Sequence, residues 1–169
     1  MKTLIIVDMQ NDFITGSLAN ADAKAIIPGI CKYIKEFDGK IILTRDTHYS
    51  NYLETQEGKN LPVPHCLVET KGWEVADEIK IAASGRNASY INKDSFGCLN
   101  IRELIPSDTD EIILVGTCTD ICVVSNALIL KAQYLDIPVT IISSLCAGTT
   151  KENHEAALQT MRMCQCNVI

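Results

Sequence analysis

The chain is short of positive charge. Its 15 Lys and Arg are outnumbered by 21 Asp and Glu, for a formal net charge of −6, so there is no basic field to gather nucleic acid or an anionic bilayer. Neither is expected as a partner. Long apolar runs are missing too: the longest are strand-sized, and the opening MKTLIIVDMQ reaches Asp8 sooner than the core of a signal peptide would allow. A cytoplasmic location is the expectation. No Cys-x-x-Cys pair occurs, and Cys164 with Cys166 is too tight a spacing for a zinc knuckle, which removes zinc fingers and leaves a redox role for Cys118 and Cys122 without its usual geometry. Neither G-x-G-x-x-G nor a P-loop follows the first apolar run, and no G-x-S-x-G nucleophile elbow is present.

What is present is an ordinary globular composition. With 169 residues, 47% hydrophobic and 21% charged, the chain is large enough to bury a core without disulfides and is expected to form one domain over residues 1–169. Its eight cysteines, Cys31, Cys66, Cys98, Cys118, Cys122, Cys146, Cys164 and Cys166, are scattered through it, and most are expected to be buried free thiols.

Short runs of Leu and β-branched residues predict strands buried on both faces of a parallel sheet: Thr3–Val7, Lys40–Thr44, Ser89–Asn92, Glu111–Val115 and Pro138–Ile142, with a weaker sixth at Asn167–Ile169. Helical spacing separates them. Ile121, Val124, Leu128, Ala132 and Leu135 form one apolar stripe with Asp120 placed to cap it. Thr149 and Glu152 suggest a capping box for a helix reaching about Met163, and Ile26, Ile30, Ile34 and Phe37 mark another helix, with Pro28 tolerable near its start. Alternating strands and helices predict an α/β fold, a three-layer α/β/α sandwich around a mostly parallel six-stranded sheet. The stretch from Tyr49 to Gly72, which follows His48, contains His65 and shows little periodicity, reads as a long functional loop.

Ligands of such sheets bind beyond the carboxyl ends of the strands, where strand order reverses. Those ends carry Asp8, Asp46 with His48, Lys93, and the Gly116–Cys122 segment. Cys122, near a helix N-terminus, is placed to favour a thiolate. Asp8 interrupts an apolar run and needs a cationic partner, for which Lys93 is the candidate. Asp46, His48, Glu57 and His65 have the chemistry of a divalent-ion site, although ordinary loop polarity would account for them equally well. His154, among Glu and Asn, reads as a solvated residue.

Three motifs, Asp8-Met9-Gln10-Asn11-Asp12-Phe13, Lys93-Asp94-Ser95-Phe96-Gly97 and Gly116-Thr117-Cys118-Thr119-Asp120-Ile121-Cys122-Val123, resemble those of the isochorismatase-like cysteine hydrolases, in order and spacing, over nearly the whole chain. The resemblance implies a catalytic triad of Asp8, Lys93 and Cys122, an oxyanion hole from the backbone N–H groups of Cys118 and Cys122, and a cis peptide at Thr117–Cys118. Asp46-Thr47-His48 with Glu57 and His65 is similar to the metal site of the nicotinamidase branch, which implies a divalent ion, zinc first and iron or manganese next. It also implies a small carboxamide substrate held against Phe13, cleaved to a carboxylic acid and ammonia through a Cys thioester, and a homo-oligomer. Pro62 departs from the pattern, standing about where that branch often places an aromatic. The alternatives are a carbamoyl or ureido amidase of the same family and, from a different class, a non-enzymatic metal-binding α/β protein.

Overall fold

The structure is a computed structural model describing residues 1–169. Six strands, β1 (Lys2–Val7), β2 (Gly39–Asp46), β3 (Ala88–Lys93), β4 (Glu111–Thr117), β5 (Val139–Ala147) and β6 (Asn167–Val168), form one sheet in the order β3-β2-β1-β4-β5-β6, all neighbours parallel. The expected strands are all there. β4 and β5 run further than their apolar stretches because Gly116, Thr117 and the Ser143–Ala147 segment continue the ladder with small and polar residues.

The side-chain alternation of β1 divides the core in two. Leu4 and Ile6 face one layer, where Ile27, Ile30 and Ile34 of α3 (Ile27–Glu36) and Ile79 of α5 (Asp77–Ala83) cover them. Ile5 and Val7 face the other, under Ala127 and Leu130 of α6 (Val124–Gln133) and Leu158 and Met161 of α7 (Lys151–Met163). This is the three-layer sandwich. Shorter helices, α1 (Asn11–Ile14), α2 (Ala21–Ala25) and α4 (Gln56–Asn60), border the carboxyl edge of the sheet. α4 and a 3₁₀ turn at Tyr52–Glu54 give the expected long loop some helical structure of its own.

Two caps differ from expectation. Asp120 does not cap α6: the chain leaves an extended Cys118 into a π-helical turn, Thr119–Val123, and Asp120 lies inside that turn with its carboxylate accepting from the N–H and hydroxyl of Thr149 at 2.8 and 2.5 Å. With Thr149 engaged there, the cap of α7 falls to Thr150, whose hydroxyl accepts from the Asn153 N–H at 3.1 Å.

Strand order reverses between β1 and β4, the position at which parallel α/β sheets bind ligands. The register lines up the strand ends there. Val7 pairs with Gly116 and Asp46 with Lys93, so the residues leaving β1, β2, β3 and β4 emerge on one edge. Gly116 has φ +119°, and a Cβ there would run into the Val7 carbonyl, so only glycine lets β4 approach β1 this closely just before the site.

Candidate active site

Asp8 follows β1 with φ +47°, a left-handed conformation that its environment must hold in place. Thr44, buried near the end of β2, does so: its hydroxyl donates to Asp8 Oδ1 at 2.6 Å and accepts the Asp8 N–H at 3.2 Å. The second oxygen, Oδ2, lies 2.7 Å from Lys93 Nζ. That ammonium also donates to Asp46 Oδ1 and to the Ser95 carbonyl, both at 3.1 Å, and lies 3.6 Å from Cys122 Sγ. Asp8, Lys93 and Cys122 are thus brought together, all buried.

The electrostatics of this corner oppose one another. Burial pushes the Cys122 thiol well above its ordinary value, the Asp8 carboxylate adds to the effect, and Lys93 opposes both without prevailing. The desolvation of this enclosed corner works against the thiolate that the position near a helix start favours. Burial raises Asp8 as well, against the pull of Lys93. Lys93 would be lowered by burial alone, but the carboxylates of Asp8 first and Asp46 after it hold it above the usual range.

Beside this group, Asp46, His48, Glu57 and His65 present ligand atoms that all lie within 4.8 Å of one another. His48 Nε2 is 3.0 Å from Asp46 Oδ2 and 3.4 Å from Glu57 Oε1, and His65 Nε2 is 3.4 and 3.6 Å from the same two oxygens. Donors held at about 2.0–2.2 Å from one ion sit roughly 3.0–3.6 Å apart, which the four imidazole–carboxylate separations match, so the cluster has the donor set of a single divalent-cation site. The other nitrogen of His65, Nδ1, bonds the Val63 carbonyl at 2.8 Å, an orienting contact of the kind metal-binding imidazoles usually have. Burial would lower His48, but its bonds to Asp46 and Glu57 win and push it up to about 9. Asp46, raised by burial alone, is held well below the usual carboxylate range by His48, His65 and Lys93. Two carboxylates facing two imidazoles concentrate the negative charge that such a cation neutralises.

Both clusters open onto one cavity of about 550 Å³, whose wall includes Phe13, Asp46, Glu57, His65, Cys118 and Cys122. The Phe13 ring lies 5.7 Å from that of His65. The Thr117–Cys118 peptide is cis, and the Cys118 carbonyl accepts the N–H groups of Ile121 and Val123 at 3.1 and 3.0 Å, winding the π-helical turn back over it. His154 is not free in solvent: it is half-buried, with Nδ1 2.8 Å from the Thr119 hydroxyl. All eight cysteines are free thiols, five of them buried.

Sequence reasoning passed over three side chains that build the site. Besides Thr44, Gln10 brackets Asp46, accepting its N–H and donating to its carbonyl, both at 2.8 Å. Asn126, fully buried, donates to the carbonyls of Cys122 and Phe96 at 2.7 and 3.3 Å and accepts the Cys98 N–H at 2.9 Å. Each is a polar residue within a buried stretch, which was the available signal.

A buried thiol, acid and ammonium at the switch point of a parallel sheet, next to a set of metal donors, define a candidate hydrolase site. The isochorismatase domain model matches residues 2–169, and the chain belongs to the isochorismatase family. Among curated relatives it is 28% identical to the nicotinamidase/pyrazinamidase of Mycobacterium tuberculosis over 96% of this chain and 95% of that protein. It is 30% identical to the nicotinamidase of Saccharomyces cerevisiae over 76% of this chain and 80% of that one. The crystal structure of the pyrazinamidase of Pyrococcus horikoshii in complex with zinc superposes with a TM-score of 0.84 at 26% identity, covering 99% and 98% of the two chains.

Proposed function

We propose that this chain is an amidohydrolase of the nicotinamidase type, hydrolysing a small aromatic carboxamide to the carboxylic acid and ammonia, and that Asp8, Lys93 and Cys122 carry the reaction. The observation that carries the reading is the shared cavity: the Lys93 ammonium within 2.7 Å of the acid and 3.6 Å of the thiol, with the four-donor cluster on the same wall. A hydrolase acting on C–N amide bonds fits the named activities of its relatives.

A neutral thiol in a buried corner is a poor nucleophile and needs a base. Asp8 takes the Cys122 proton as Sγ forms a bond to the carboxamide carbon and the carbonyl electrons move onto oxygen. Lys93, 2.7 Å from Asp8 Oδ2, favours the ionised carboxylate that accepts the proton and stabilises the negative charge as it passes to sulfur. Cys118 and Cys122 both line the cavity, and their N–H groups receive the oxyanion, a contribution of about 3–4 kcal/mol per donor in known cases. When the C–N bond breaks, Asp8 returns the proton to nitrogen and ammonia leaves. Water then attacks the thioester with Asp8 again as base, the C–S bond breaks, and sulfur takes back a proton. Asp46, His48, Glu57 and His65 would hold a divalent ion, zinc being the first candidate from the P. horikoshii relative, and when bound it supplies an anchor for the ring nitrogen and an ordered water. Phe13 packs against the ring, and Tyr52, 5.1 Å from the His65 ring, backs that imidazole.

The test is ammonia release from nicotinamide by the purified protein beside Cys122→Ala. The expected result is turnover with kcat/KM of about 10⁴ M⁻¹s⁻¹ or better and none in the variant. Retained activity in the variant overturns the nucleophile. Ammonia from ureido compounds alone transfers the triad to a carbamoyl amidase and ends the nicotinamidase reading.

A further inference from the structure

The cavity is graded in chemistry from floor to mouth. At the floor lie the buried polar groups, with Phe13 only 8% exposed and His65 3%. The mouth is apolar: Leu61 and Phe96 line it while remaining 39% and 46% exposed, and Leu18 and Ile121 join them. Large apolar side chains left open to water at the rim of a cavity lose that exposure only when something apolar sits against them.

The polar residues of the rim do not compensate. Asn20 spends its side-chain carbonyl on the N–H groups of Asp22 and Ala23, capping α2, and its amide on the Gly148 carbonyl at 2.8 Å. The Thr149 hydroxyl donates to Asp120 and accepts from the Asn153 amide. Both rim residues are committed within the protein. A cavity of about 550 Å³ lies in the range that encloses drug-sized ligands, and a single six-membered ring bearing a carboxamide fills only its polar end.

We infer that the preferred substrates are aromatic carboxamides extended by an apolar substituent or a fused second ring on the side away from the amide, with Leu61 and Phe96 as the residues that select them. This rests on the amidase reading above and adds the size and polarity of the substrate to it. The carboxamide sits at Cys122, the ring nitrogen at the four-donor cluster, and the extension fills the space between Phe13 and the mouth.

The probe pair is nicotinamide and quinoline-3-carboxamide, which keeps the relation of ring nitrogen to carboxamide and adds one fused ring. Steady-state ammonia release is measured with wild type, Leu61→Trp and Phe96→Ala, each checked for a native melting curve. The expected result is a kcat/KM for the bicyclic amide at least tenfold above that for nicotinamide in wild type. Leu61→Trp, which fills the mouth, and Phe96→Ala, which removes its contact, should each lower that ratio tenfold or more. Turnover of nicotinamide with an equal or lower value for the bicyclic amide overturns the inference and leaves the amidase intact, as does a ratio that neither substitution moves. Release of ammonia from neither amide overturns the amidase reading and the inference with it.

Discussion

Asp46 serves two neighbours with its two oxygens, Oδ1 taking the Lys93 ammonium at 3.1 Å and Oδ2 the imidazoles of His48 and His65 at 3.0 and 3.4 Å. Removing it therefore does more than removing either histidine. His48→Ala should lower bound metal per chain and raise KM more than it lowers kcat, since the ion's task is to hold substrate. Asp46→Asn should lower metal content and also cut kcat at least tenfold, because the ammonium that organises Asp8 and Cys122 loses an anchor. Elemental analysis beside steady-state kinetics checks both, and equal kcat losses in the two variants would refute the division of labour. At this scale the sequence was legible where chemistry interrupts an apolar run: Asp8 directly follows β1, and Asp46 and Lys93 end β2 and β3. Thr44 and Gln10 were missed because a small hydroxyl and a neutral amide look unremarkable until their partners, 36 residues away in each case, are seen. Burial at Cys122 is set by distant segments and works against the thiolate that its local position near a helix start favours, which no local reading of the sequence registers.

Between elements, the join that matters is the one from the π-helical turn into α6. Asn126, one turn into that passage, ties the Cys122 carbonyl to the Phe96–Cys98 segment that follows β3, so the strand end carrying Lys93 and the turn carrying the thiol are fixed to each other through one amide. Asn126→Ala leaves the buried Cys122 carbonyl and Cys98 N–H, and the half-buried Phe96 carbonyl, without that partner. At about 1–3 kcal/mol for a buried group left unpaired, the variant should melt several degrees lower, and kcat should fall as the 3.6 Å approach of Lys93 to Cys122 loosens. A thermal melt and a kcat measurement test this, and an unchanged melting point would show that water replaces the amide. The same passage explains the helix cap misread from sequence. A Ser, Thr, Asp or Asn ahead of an apolar stripe signals a cap only if the first turn is α-helical, and here the π-helical turn carries Asp120 past that position to pair with Thr149. Long periodic elements were legible, whereas α1, α2, α4 and α5 are too short for their period to register.

The molecule as a whole places its first strand near the centre of its sheet. β1 lies between β2 and β4, and the pairs that complete it join residues 2–7 to residues 111–116. Its Ile5 and Val7 are covered by α6 and α7, later still in the chain. Contacts this distant in sequence close slowly, and at a synthesis rate of about 5–20 residues per second the N-terminal strand waits roughly 5–20 s for β4 to leave the ribosome. During that wait Thr3–Val7 offers an unpaired, apolar edge. A fragment ending at residue 110 should accordingly lack a cooperative melt and slow amide exchange in β1, while the full chain shows both, and protection of β1 in the fragment would contradict this order of events. The reversal of strand order that opens a binding crevice beside β1 thus has a cost in time: the site's own central strand is made first and completed among the last, which leaves the growing chain dependent on whatever shields that edge until the second half arrives.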